Sequence, residues 1–123
     1  MPLVNRVFAS VSPIVANDNE QIITDSFFVL AKEGRFIKDK DLVPVPRISY
    51  FIESKGDGNV NISIDDEISA RSSFIVASAT SQIFKGSFDI TDLVDGIHSL
   101  KINAKANAPS GSISVILTEV YER

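Results

Sequence analysis

Asn59-Val60-Asn61-Ile62-Ser63-Ile64-Asp65 alternates polar and apolar residues without a break. Side chains of a β-strand point to opposite faces in turn, so this pattern sets Val60, Ile62 and Ile64 against a core and turns Asn59, Asn61 and Ser63 away from it. The same period of two returns at His98-x-Leu100-x-Ile102-x-Ala104, opposed by Ser99, Lys101, Asn103 and Lys105. It returns again near the C-terminus, where Ile113, Val115, Leu117 and Tyr121 share a face with Glu119. Further runs rich in β-formers are Leu3 to Val11, Gln21 to Leu30, Ile48 to Ser54, Ser73 to Ser78 and Gln82 to Ile90. The patterning predicts about eight strands. No stretch keeps a helical period through three turns, and no internal repeat or low-complexity tract is present.

The punctuation between these runs is turn chemistry. Lys55-Gly56-Asp57-Gly58 predicts a short hairpin loop, because Gly and Asp tolerate the positive φ such turns need, and Ala108-Pro109-Ser110-Gly111 predicts another. Thr91 to Gly96 predicts one helical turn, with Thr91 or Asp89 as its cap and Gly96 ending it. From Ala31 to Arg47, charged residues precede Pro44-Val45-Pro46, which suits a loop or an edge strand because proline lacks the ladder N–H.

A single flat sheet of eight strands would leave an apolar face wet, so the expected fold is an all-β, two-sheet antiparallel β-sandwich of jelly-roll or Greek-key type. A closed barrel is the alternative. The expected organisation is one domain over residues 1–123, with residues 1–20 as an N-terminal arm. The 123 residues, 44% hydrophobic and 23% charged, suffice for a core without disulfides or metal, and there is no cysteine to supply a thiol nucleophile or thiolate ligand. The net charge of −4, with no basic block, argues against nucleic acid or an anionic membrane surface as partner. Residues 1–18 make a poor signal peptide, since Ser10, Ser12 and Pro13 interrupt the apolar run.

Few residues suggest chemistry. His98, the one histidine, lies on the apolar face of its strand and reads as a packing residue hydrogen-bonded to backbone rather than a base or ligand. A Ser-His-Asp arrangement would need Asp89, Asp92 or Asp95, and no nucleophile elbow accompanies them. Asp57-Gly58-Asn59 and Asp65-Asp66-Glu67 offer oxygen ligands for calcium, and Asp57-x-Asn59-x-Asn61 imitates the start of an EF-hand loop. Ile62 stands where that loop needs Gly and Ile68 where it needs Glu, so these residues read as solvated strand ends. Asn61-Ile62-Ser63 matches a glycosylation sequon. Phe36 in the predicted loop, with Tyr50 and Phe51 on opposite faces of one strand, are the candidates for stacking on a sugar ring.

The run from Asn59 to Glu67, followed by Phe88-Asp89-Ile90-Thr91-Asp92-Leu93-Val94-Asp95-Gly96-Ile97-His98-Ser99-Leu100, resembles the second half of jelly-roll accessory modules. Such modules include carbohydrate-binding domains and β-sandwich proteins of phage capsids and tails. The resemblance spans residues 59–120 and rests on fold-making positions, Gly96 for the turn and Leu100 and Ile102 for the core. It implies architecture, and function is argued from sites.

The expected function is a non-enzymatic structural or interaction module. The leading form is a phage virion accessory protein, a capsid decoration or tail component, assembled with other copies of itself or a virion lattice and located in the virion. The alternative is a carbohydrate-binding accessory module. No catalytic, cofactor or metal residue is assigned. The assembly expectation rests on Leu3 to Val11 and Ser112 to Tyr121, β-rich segments in which Arg6 and Glu119 are the only charges to blunt edge pairing.

Overall fold

The computed structural model describes residues 12–39, 41, 47–107 and 111–122. Seven strands run in the order β1 (Ser12–Asn17), β2 (Gln21–Ile23), β3 (Val29–Lys38), β4 (Arg47–Ile64), β5 (Ser72–Asp89), β6 (Gly96–Ala106) and β7 (Ile113–Glu122). All are antiparallel to their partners, and no helix occurs among the described residues.

Among the described residues, two pairs of the expected runs are each one continuous strand, one of them across an expected hairpin. β4 unites the Ile48 and Asn59 runs, and β5 unites the Ser73 and Gln82 runs. Lys55 to Gly58 is therefore no hairpin loop. It is a bend inside β4, where the register to β5 slips between Ser54 and Gly56 and Gly56 takes φ 116°. The Ala31 to Arg47 region is likewise ordered further than its composition implied: β3 runs to Lys38 beside β6, with a register shift between Leu30 and Lys32. Pro44 to Pro46, Leu3 to Val11 and residues 108–110 lie outside the described residues.

The bend in β4 sets the architecture. Its first limb pairs with β7 from Ile48 to Gly56, and its second pairs with β6 from Gly58 to Ile64, while β5 follows its other edge throughout. Asp57 performs the handover: its N–H donates to the Ser112 carbonyl (3.0 Å), and its own carbonyl accepts from the Asn107 N–H (3.1 Å). The seven strands thus form one hydrogen-bonded sheet, in the path β1-β7-β4-β6-β3 with β2 on β7 and β5 on β4. This curled sheet replaces the two separate sheets expected, because strands of 18 residues carry the ladder through the bend rather than ending at it.

The curl closes over the residues the alternation selected. Ile48 and Ile52 face inward from one limb; Val60, Ile62, Ile64, Leu100 and Ile102 face inward from the other, and all are fully buried. Phe74 and Phe84, ten positions apart on one strand, stack with ring centroids 4.2 Å apart, which shows how completely β5 folds back across the core. β7, expected to present an open edge, is an interior strand paired with β1 and β2 on one side and β4 on the other.

One end of the molecule is held by polar clamps. The helical turn expected over Thr91 to Gly96 is instead a single reverse turn, in which the Leu93 N–H reaches the Ile90 carbonyl and Asp89 Oδ1 accepts the Thr91 N–H at 2.6 Å, and Gly96 begins β6. Arg71 then ties this turn to the 65–71 loop, since its guanidinium binds both carboxylate oxygens of Glu67 and both of Asp92. Lys38, buried, donates to the Leu93 carbonyl at 2.5 Å.

His98 completes this clamp. It is buried and backbone-bonded as its strand face implied, with one ring nitrogen 2.7 Å from the Val94 carbonyl and Phe36 stacked at 5.6 Å. Its other nitrogen lies 2.6 Å from Asp65 Oδ2, and Asp65 Oδ1 accepts the Ser99 N–H. Asp89, Asp92 and Asp95 are not its partners. With acceptors facing both nitrogens, the imidazolium is the better-bonded form.

Burial opposes that charge, but the hydrogen bonds to Asp65 and Val94 outweigh it and hold His98 above the ordinary histidine range. Burial likewise opposes the Asp65 carboxylate, and the His98 and Ser99 bonds outweigh it and hold Asp65 below the usual range. The sign follows. The His98 contribution is whole below the unfolded histidine pKa and is lost as pH rises through its raised folded value, and the Asp65 contribution is lost as pH falls through its lowered one. His98→Gln should therefore cost about 1–2 kcal/mol at pH 6 and much less at pH 9. Urea unfolding at the two pH values measures this, and an equal loss at both would contradict a charged His98.

Candidate functional site

The outer face of the second limb carries a built array of polar side chains. Antiparallel pairing aligns the two polar rows read from the sequence: Asn59 opposite Lys105, Asn61 opposite Asn103, and Ser63 opposite Lys101. β3 extends the rows with Leu30 beside Asn103 and Glu33 beside Lys101, and β5 adds Ser73 beside Asn61 and Ile75 beside Asn59. Since Val60, Ile62, Leu100 and Ile102 point into the core from the same strands, the polar face is backed by fully buried side chains.

Hydrogen bonds fix the orientation of the central pair. Asn103 Nδ2 donates to Asn61 Oδ1 at 2.9 Å and to Ser63 Oγ at 3.2 Å. The Asn61 amide N–H groups and the Asn103 amide oxygen have no partner among the described residues, so a donor and an acceptor sit side by side. Charge and apolar surface flank them. Lys101 Nζ is 3.5 Å from Asp66, and Lys105 Nζ stands 5.0 Å above the Phe28 ring, a cation–π contact that holds a ring 42% exposed at the margin of the face.

The aromatic residues singled out from the sequence do not form a platform. Phe36 is in β3, not a loop, and is buried against His98; Tyr50 points inward with its hydroxyl 2.7 Å from Ser72 Oγ. Phe51 alone faces solvent, on the other limb beside Lys85. Phe28, within a run read only as strand, went unmarked; the alternation of its neighbours breaks there, which was the available signal.

The calcium ligands are also dispersed. Asp57, Asn59 and Asn61 lie along one strand, where alternate residues stand roughly 7 Å apart, too far to share an ion whose ligands sit at about 2.5 Å. Asp57 accepts from Asn107 Nδ2, Asp65 from His98 and Glu67 from Arg71. Among the described residues no three metal-binding side chains converge. The sequon residue Asn61 lies mid-strand with its amide bonded to Asn103.

The fold has a known counterpart. The chain superposes on the EclA C-terminal domain, a sugar-binding protein, with a TM-score of 0.56 and 8% identity over 87% of this chain and 80% of that one. At that identity the likeness is one of fold. No protein-family model matches the sequence, and no curated protein matches it. The resemblance to carbohydrate-binding-like modules thus has a structural counterpart, whereas the phage capsid and tail resemblance and the virion role have no support in the fold or in the matched domain.

Proposed function

We propose that this chain is a non-enzymatic carbohydrate-binding module, and that its ligand lies on the outer face of β4 and β6. The observation that carries this reading is the Asn61–Asn103 pair, an amide donor and an amide acceptor held adjacent by their own hydrogen bond. Neighbouring sugar hydroxyls each donate and accept, so such a pair matches a vicinal diol. Lys101 and Lys105 add donors at the flanks, and Phe28 and Leu30 give exposed apolar surface for the C–H face of a pyranose. The sugar-binding description of the matched EclA domain supports the ligand class.

Calorimetric titration with neutral mono- and disaccharides tests the site. Asn61→Ala combined with Asn103→Ala should weaken binding by roughly tenfold or more, since one lost pair of ligand hydrogen bonds is worth about 1.4 kcal/mol or above. Phe28→Ala should weaken it less. Retention of full affinity by the folded double variant would place the ligand elsewhere, and no binding across a glycan panel would overturn the reading.

A further inference from the structure

We infer that β5 is a dimerisation edge, along which a second copy of this chain pairs antiparallel about a two-fold axis at Ala79. Among the described residues β5 hydrogen-bonds only to β4, so the other edge of this 18-residue strand offers its backbone N–H and C=O groups to a partner. The open edge of β3 carries Lys32, Glu33, Arg35 and Lys38, the charges that usually discourage pairing. β5 carries only Lys85 and Asp89 and no proline.

The side chains of β5 are arranged symmetrically about Ala79. Phe74 and Phe84 each lie five positions from it and Ile75 and Ile83 four, the phenylalanines half-buried at the margin of the core and the isoleucines 67% and 57% exposed. Antiparallel pairing about that residue sets Phe74 of one copy opposite Phe84 of the other on the inner face, and Ile75 opposite Ile83 on the outer face. It also sets Lys85 opposite Ser73, so no like charges meet directly. Moving the axis by one residue keeps the faces matched but sets both phenylalanines opposite non-aromatic residues and both isoleucines opposite lysine, serine or alanine. Moving it by half a residue opposes inner and outer faces.

The bend makes this register geometrically available. Residues 79–81 of β5 have no partner in β4, because pairing passes from Ser78 opposite Gly56 to Gln82 opposite Ser54. Each copy therefore turns its strand at the symmetry axis, and a rotation about an axis running through the bend lays limb 72–78 of one copy beside limb 82–88 of the other. Both limbs of the curled sheet then continue across the interface, and the contact is isologous and closed.

Sedimentation of the full chain should give a species of twice 13.4 kDa at micromolar concentration. Ile75→Lys with Ile83→Lys places lysine opposite lysine twice per dimer and should shift the protein to monomer. Ile75→Glu with Ile83→Lys places opposite charges there and should retain the dimer. Both variants change exposed side chains, and far-UV circular dichroism with a thermal melt confirms that each is folded. A monomeric wild-type chain at the highest attainable concentration, a dimer that survives the lysine pair, or loss of the dimer in both folded variants would each overturn the inference.

Discussion

Gly56→Val should cost about 3 kcal/mol or more and lower the melting temperature by roughly 10 °C or beyond. Two penalties combine. A β-branched residue at φ 116° is strained by about 1–3 kcal/mol, and a Cβ there would collide with the Ser112 carbonyl oxygen and stand 2.9 Å from Ile113 Cα. Neither neighbour can move cheaply. That carbonyl accepts the Asp57 N–H where β4 leaves β7 for β6, so displacing it loosens the join between the limbs. Gly96 separates the two effects, because its φ is 136° but nothing lies within 4 Å of an added Cβ. Gly96→Ala should cost only the strain, about 1 kcal/mol. Thermal unfolding of the two variants measures the difference, and equal losses would show that the Ser112 contact carries no weight.

The same bend shows where the sequence could be read and where it could not. Alternation is a local property, so Val60, Ile62, Ile64, Leu100 and Ile102 were legible as core and Asn61, Asn103, Lys101 and Lys105 as an opposite face. Register between strands is set by packing across the sheet, and no pattern within either strand placed Asn61 beside Asn103. Lys55-Gly56-Asp57-Gly58 misled for a related reason. Glycine permits positive φ both in a hairpin and in a bulge that redirects a continuous strand, and only the pairing of β5 along both limbs tells them apart. His98 was legible as a packing residue from its strand face, but its partner Asp65 is 33 positions away and sits at φ 53°, which chain order alone does not reveal.

Lys32→Ala should lose about 3 kcal/mol, and Lys32→Met should lose less, because the two substitutions divide what this buried lysine does. Lys32 points inward from β3, 7% exposed, and crosses to the opposite limb. There its ammonium binds Asn17 Oδ1 at 2.6 Å, the Asn17 carbonyl at 3.4 Å and the Ile116 carbonyl. Ile116 falls in the gap on β7 between the residues paired with β2, which end at Val115, and those paired with β1, which begin at Thr118. Lys32 supplies the donor that the sheet ladder does not. Methionine keeps the apolar stem and forfeits the hydrogen bonds, while alanine also opens a cavity beneath β1. Burial pushes the Lys32 ammonium below the ordinary lysine range, with Asp18 partly opposing. Between the folded and unfolded pKa values the unfolded chain therefore holds more protons, and the stability linked to Lys32 rises with pH across that interval. Chemical denaturation at a series of alkaline pH values should show this rise in the wild-type chain and its absence in Lys32→Met. A variant that retained the slope would assign it to another group, and one as stable as wild type at neutral pH would mean that the carbonyl of Ile116 is satisfied without a cation.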